Sequence, residues 1–307
     1  MILLVGIPSE SPLTLVSKAL EELSEPYVIL NQRRFADTNF SYELDSGRIS
    51  GSLSINGRAY DLASFKGIYT RMMDERSLPE YQALPPDSAE RRRCHYLHDA
   101  LLRWMEITPA RVLNRTGPMG SNTSKPYQAQ LIAHHGFSIP ETLITNEPAL
   151  VRRFCRQHER VIFKSISGVR SIVQTVTDAD LQRLDHIRWC PTQFQAFVPG
   201  TNVRVHVVGQ QCFATMIASE ATDYRYASVQ GSSTELVEVE LDQELAERCV
   251  RLAAALRLPF AGIDLKITPD QEVFCFEVNP SPGYSYYEGH TGQPISRAVA
   301  DYLRGIA

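Results

Sequence analysis

The sequence has few cysteines, and none of them are clustered. The six, at 94, 155, 190, 212, 249 and 275, each stand more than twenty residues from the next. No CxxC occurs, so neither a zinc knuckle nor a disulfide framework is indicated, and the thiols read as reduced cytosolic groups. Lysine is scarce too: only five of the 31 basic residues are lysine, at 18, 66, 125, 164 and 266, which makes each one more interesting. Long apolar runs are missing. The longest, Met1–Ile7 and Val161–Phe163, fall far short of the ~20 residues a bilayer span needs, so no membrane contact is expected. No charged-then-apolar leader with a small-residue cleavage site opens the chain, which predicts a cytoplasmic protein. A net charge of −4 and a pI near 6.1 argue against a dedicated nucleic-acid partner. The turn Gly6-Ile7-Pro8 lacks the three-glycine dinucleotide fingerprint, and the absence of GxxxxGK[ST] excludes a P-loop. No GxSxG or HExxH pattern occurs, and the eight histidines show no ligand spacing; His95/His98 and His134-His135 read as helix-surface residues.

What is present is a globular composition. The chain has 307 residues, 43% hydrophobic and 21% charged, which at about 150 residues per domain is enough for two. Ile2–Val5, a helical pattern over Glu10–Leu23 and then Tyr27–Leu30 predict a β-α-β opening. A hairpin region spans Phe40–Leu53, a strand Gly67–Thr70 and a charged helix Asp87–Glu106. The loop Asn114–Asn122, rich in Gly, Asn, Ser and Pro, marks a boundary. Beyond it come a helix to His135, a strand Glu141–Ile144, a helix Glu147–Gln157 capped by Asn146, strands Arg160–Lys164 and Ser171–Val176, and a β-branched run over Gln193–Ser219. Helix Asp242–Leu256, a hairpin Phe260–Asn279 and a helix Pro294–Gly305 close the chain. The predicted fold is an N-terminal α/β domain over 1–112 and a two-lobed α+β region over 113–307, with lobes at about 123–192 and 193–307.

The hairpin is the most informative stretch. With a four-residue turn at Thr268–Gln271, Ile267 faces Glu272 and Gly262 faces Glu277. Asp264 and Glu277 then sit diagonally, ~7–8 Å apart at the backbone, with Asn279 on the same side. The other face, Ile263, Leu265, Ile267, Phe274, Phe276 and Val278, is expected to be buried. Such a trio suits Mg²⁺, which takes one or two carboxylates and completes its shell with phosphates and water. A solvated acidic face is the plain alternative; Asn279-Pro280, ending the strand beside Glu277, favours the metal.

Lys164 ends a strand and is followed by Ser165-Ile-Ser167-Gly168, a phosphate cradle or simply a snorkelling lysine. Gln195-Ala196-Phe197-Val198 before Pro199-Gly200 reads as a hinge whose backbone pairs with an adenine edge, or as an ordinary hairpin. Asn202-Val-Arg204 and Asp223-Tyr-Arg225 each place two polar groups on one face, where surface ion pairs are the common outcome. Arg71, at a strand's C-terminal end, and the run Arg91–Arg93 are positioned either to meet an acidic substrate or to face solvent.

Taken in order, Lys125, Lys164 with its Gly loop, the hinge, Asn202/Arg204, Asp264 and Glu277-x-Asn279 resemble the ATP-grasp superfamily, with 1–112 as its pre-grasp domain. Glu277-Val-Asn-Pro-Ser-Pro-Gly283 resembles the ribosomal-protein glutamate ligases. Ile139-Pro140-x-Thr142-x-x-Thr145-Asn146, Asp223-Tyr-Arg225, Gly262–Asp270 and Glu288-x-x-Thr291-Gly-x-Pro294-Ile resemble the microviridin-type peptide macrocyclases, the graspetide synthetases. Ala196 departs from the usual hinge Glu, and Asn202 from a common Asp. The resemblance implies an ATP-dependent ligase that activates a carboxylate as an acyl phosphate for attack by an amine or hydroxyl. ATP and one or two Mg²⁺ would be cofactors, and a carboxylate-bearing peptide, protein or small molecule the partner, in a homodimer. It implies Lys125, Lys164, Ser167, Gly168, Gln195, Ala196, Phe197, Val198 and Asn202 on the nucleotide, and Asp264, Glu277 and Asn279 on the metal. Arg204 and Arg225 would be catalytic, and Arg71, Asp223 and Arg225 would meet the substrate. A kinase of the same fold and a nucleotide-binding scaffold without turnover are the other classes.

Overall fold

The computed structural model describes residues 1–164, 173–219 and 234–306. Apolar on every residue, β1 (Ile2–Gly6) is buried throughout and lies inside a parallel sheet, as a strand covered on both faces must. β2 (Tyr27–Asn31) pairs along one edge; a separate antiparallel meander follows, β3 (Asn39–Asp45), β4 (Arg48–Ile55) and β5 (Arg58–Asp61). β6 (Gly67–Thr70) and β7 (Arg111–Leu113) then complete the order β2-β1-β6-β7. The helix Ala89–Ile107 and the meander cover one face through Leu101, Trp104, Leu53 and Ile55. The other face takes Leu13, Val16 and Leu20 of the helix Ser11–Glu22 and Ile295, Val299 and Leu303 of the last helix, Ile295–Arg304. The chain's end thus returns to its first sheet.

The second sheet is antiparallel: β8 (Thr142–Thr145), β9 (Val161–Lys164), β10 (Gln174–Thr175) and β11 (Thr192–Ala196), in the order β10-β9-β11-β8. β11 pairs only within this sheet among the described residues, so sheet membership changes after Ala196 rather than at Gln193. The third comprises β12 (Thr201–Val208), β13 (Gln211–Ser219), β14 (Thr234–Val239), β15 (Phe260–Ile267) and β16 (Val273–Asn279), in the order β14-β13-β12-β15-β16. Val203, Val205 and Val207 enter a core closed by the helix Gln243–Ala255, whose N-cap Asp242 accepts from Leu245 N–H at 2.9 Å. By period-two alternation, Asn202, Arg204 and His206 lie on the opposite face.

Three local expectations need correcting. The helix Pro148–Gln157 has Glu147 at its N-cap and no side-chain cap; Asn146 instead donates to Arg188 O at 3.3 Å. The strand expected at Ser171–Val176 is only Gln174–Thr175 within the described residues. His95 and His98 are not plain surface residues, since both Nδ1 atoms face the buried Glu75, at 2.6 and 3.2 Å. Among the described residues no helix is long and apolar enough to cross a membrane.

Candidate active site

The β15–β16 register differs from the simple hairpin. Ile267 pairs with Val273, Leu265 with Cys275, and Asp264 with Glu277, so Phe276 is the extra residue of a bulge. The turn is one residue longer than expected, and the bulge then slips the strand by another. Asp264 and Glu277 consequently face each other directly rather than diagonally, and Asn279 faces Gly262. The bulge also reverses which side chains are buried. Cys275 joins Leu265, Ile263 and Val278 in the core, while Phe276 lines the cleft.

Arg204 lies directly beside Asp264 on β12, and its Nη1 donates to Asp264 Oδ1 at 2.6 Å. Only 5% exposed, it runs across Gly262, where a Cβ would fall inside the guanidinium. Glycine is therefore required there by close approach. Behind Arg204 stands His206, fully buried and 3.5 Å from Arg204 Nε, with its ring edge-on to Tyr287 at 4.9 Å. Burial, with Arg204 next, holds the pKa of His206 well below the ordinary histidine value, so the imidazole is neutral and accepts.

The cleft runs between the second and third sheets and encloses about 830 Å³, its open mouth included. That is within the usual range for a small-molecule site. Lys164, Gln195, Phe197, Val198 and Asn202 line it with Asp264 and Glu277. An adjoining cavity shares Lys164, Gln195 and Phe276 and adds Lys125, so both lysines border one space. Ala196 N–H and Phe197 N–H already donate to Glu141 O and Arg160 O, both at 2.9 Å. Gln195 donates to Thr142 Oγ1 at 2.9 Å, but its buried Oε1 has no partner among the described residues, and neither does that of Gln193 two residues earlier. Buried orphan acceptors are uncommon and signal a missing donor.

Ser167, Gly168, Asp223 and Arg225 lie outside the described residues. Arg71 is half removed from the site: Glu10 binds one edge of its guanidinium, and Ser281 Oγ and Pro282 O accept from Nη1 at 3.3 and 3.2 Å. The run Arg91–Arg93 is used structurally, on Leu84 O, Asp87 O and Thr38 O. Glu288 and Thr291 also prove structural. Glu288 accepts from Ser296 N–H at 2.8 Å, and Thr291 holds Gln293, which reaches Thr215 and Ala214 O.

Sequence reasoning missed several residues. Lys266 enters the cleft over the rings of Phe197 and Phe276, its pKa lowered by burial and by Arg160. Gln128 clamps both backbone groups of Val278, at 2.8 and 2.9 Å, and so fixes the strand between Glu277 and Asn279. Asn114 ties Phe260 and Pro280 together. The scarcity of lysine was a signal for Lys266; nothing marked Gln128.

The donor set fits a hard divalent cation. Two carboxylates face each other and one carboxamide adjoins them; Asn279 Oδ1 accepts Ser281 N–H at 2.9 Å and keeps a second lone pair. No group of three His, Cys, Asp or Glu side chains suited to a metal occurs among the described residues, so phosphate and water oxygens would have to complete the shell. Mg²⁺ binds in this manner.

Residues 123–303 match the model of the RimK-like ATP-grasp domain family. A probable alpha-L-glutamate ligase of Rhodopirellula baltica is 27% identical over 223 residues, covering 68% of this chain and 53% of that protein. The chain thus spans about half that relative's length. Among solved structures, a Chryseobacterium gregarium RiPP-associated ATP-grasp ligase in complex with ADP and a leader and core peptide superposes with a TM-score of 0.84 at 21% identity, covering 100% of this chain and 97% of that one. Macrocyclase MdnC of Microcystis aeruginosa, bound with precursor peptide MdnA, gives 0.80 at 21% identity and coverages of 99% and 100%. The ATP-grasp ligase PsnB, complexed with a precursor variant, Mg and ADP, gives 0.79 at 24% identity and coverages of 99% and 98%. At these identities the structures speak for the fold.

Proposed function

This chain belongs to the RimK-like ATP-grasp family, and from that premise we propose that it is an ATP-dependent ligase joining a carboxylate to an amine, or to a hydroxyl, on a peptide substrate. The observation that carries the proposal is the convergence of Lys164, the hinge, Asp264 and Glu277 on one cleft between two sheets, with the buried Arg204 hydrogen-bonded to Asp264 beside it. In this reading, residues 1–112 form a pre-grasp domain and 113–307 the grasp, with the lobe boundary moved from Gln193 to the hinge after Ala196, where the sheets change. A cytoplasmic homodimer is part of the reading, and sedimentation checks the dimer.

A carboxylate is a poor electrophile because its leaving group would be oxide. Phosphorylation makes that leaving group phosphate, and the chemistry then needs charge neutralisation more than a nucleophilic side chain. The adenine edge would meet Val198 N–H, and its amino group would supply the donor that Gln195 Oε1 lacks. Ala196, Phe197 and Asn202 would line the base and ribose, Lys125 and Lys164 would neutralise the phosphates, and Ser167 and Gly168 would hydrogen-bond them. Asp264, Glu277 and Asn279 would hold one or two Mg²⁺, which when bound supply further positive charge to the phosphate oxygens. Arg204, held by Asp264 and His206, would face the transferring phosphoryl group. Asp223 and Arg225 would meet the acceptor, and Arg225 would be catalytic there.

The test is the fate of oxygen. With a substrate carboxylate labelled with oxygen-18, one label should pass into released phosphate, with one ADP formed per bond. AMP and pyrophosphate, or label confined to the peptide, would sink the acyl-phosphate route. Product mass separates ring closure, a loss of water, from addition of an amino acid.

A further inference from the structure

The first sheet has the order β2-β1-β6-β7, so the chain leaves β1 on one side and returns on the other. Such a reversal opens a crevice at the carboxyl ends of the two central strands, the usual ligand site of an open α/β sheet. Here the crevice is filled by the protein's own residues. Arg71, the residue after β6, has a side chain only 12% exposed. Its Nε and Nη2 both reach Glu10 Oε1, at 2.7 and 2.5 Å. Burial is the largest single influence and opposes the charge, but Glu10 and Tyr69 together outweigh it and raise the Arg71 pKa.

The remaining edge of the guanidinium points at the third sheet. Nη1 donates to Ser281 Oγ and Pro282 O, and Ser281 N–H in turn donates to Asn279 Oδ1 at 2.9 Å. Two more ties hold the same segment: Tyr284 OH on Pro12 O at 2.7 Å, and Asn114 Nδ2 on Pro280 O at 2.6 Å. Asn279 aside, every anchor of 280–284 named here comes from the first 114 residues of the chain. We propose that Arg71 is a positioning residue for the metal site: by fixing Ser281 and Pro282 it sets the orientation of the Asn279 carboxamide, so the first sheet, through Glu10 and Arg71, controls the metal-ligand geometry. This rests on the reading of Asn279 as a ligand and replaces the direct substrate role expected for Arg71.

The experiment avoids turnover. Mn²⁺ binding is titrated by electron paramagnetic resonance with saturating ADP, and amide exchange is followed at Ser281. Arg71→Met should weaken Mn²⁺ binding about tenfold, as loss of an outer-shell support does, and speed exchange at Ser281. ADP affinity without metal should not change. Arg71→Lys keeps the charge but lacks the fork that serves both edges, and should rescue little. A role in stability alone would lower the melting temperature and leave the Mn²⁺ affinity where it was, overturning the proposal. If Arg71→Met does not fold, Ser281→Ala and Glu10→Gln carry the test, each expected to weaken Mn²⁺ by a smaller factor. Glu277→Gln separates the two ideas. If it abolishes Mn²⁺ binding while the Arg71 and Ser281 variants bind normally, only the positioning fails. If it too binds normally, the metal reading itself is wrong.

Discussion

The two walls of the cleft are built differently. The wall of β12, β15 and β16 stands on a core of seventeen buried apolar residues, and its polar groups are braced from behind. His206 backs Arg204, Gln128 clamps Val278, and Gln293 ties the helical C-terminus to β13. The wall of β9 and β11 rests on five buried apolar residues among those described, and ends in a two-residue edge strand. Its inward-facing Gln193 and Gln195 keep orphan acceptors. A large, cross-braced core resists local opening, and a small one does not. In the proposed reading, the charges that must be held within fractions of an ångström sit on the braced wall. The groups proposed to greet the nucleotide sit on the lighter one.

Substitutions should therefore separate: the braced wall should move kcat and the lighter wall nucleotide affinity. Glu277→Gln should have the largest effect, abolishing turnover with an unchanged melting temperature, since it removes a carboxylate facing Asp264 and no core contact. Near-normal steady-state rates would break the assignment of this wall to chemistry. Gly262→Ala comes next. Its methyl group would displace Arg204, and losing an aligned charge donor costs about 100-fold in kcat, while ADP affinity by calorimetry should hold.

On the other wall, Lys164→Ala should weaken ATP binding by about ten- to a hundredfold, the loss of a charge-assisted contact at roughly 1.5–3 kcal/mol. An unaltered dissociation constant would remove Lys164 from the nucleotide site. The smallest effect tests the orphan acceptor. Gln195→Leu removes a buried oxygen without a partner among the described residues, together with the N–H donated to Thr142 Oγ1, so stability should fall by no more than the roughly 1 kcal/mol of one hydrogen bond while ATP affinity falls by about three- to tenfold. A clearly larger loss of stability would mean that the oxygen is satisfied in the free protein.

Much of this was readable beforehand because the relevant signals are local. The apolar strand at Ile2, the helical spacing of Leu13, Val16 and Leu20, the alternation through Asn202, Arg204 and His206, and the order of charged residues along the chain all survive intact. The resemblance to the ATP-grasp superfamily rested on that order, and the family match bears it out. What misled were features that need a partner strand. Phe276 was assigned to the core because strict alternation puts it there; a bulge turned it into the cleft. Arg71 was seen at a strand end, but its partners lie 61 positions before it and 210 positions after it.

By itself the sequence determined β1, β2, β6, β8 and β9, the β15–β16 hairpin and the roster of charges, because hydrophobic period and turn chemistry act over a few residues. Tertiary structure alone decided that Asp264 faces Glu277, that Arg204 crosses a glycine to reach Asp264, and that the last helix closes the first sheet. These are choices of register and of long-range packing, set by how whole sheets fit against one another, and no window of neighbouring residues contains them.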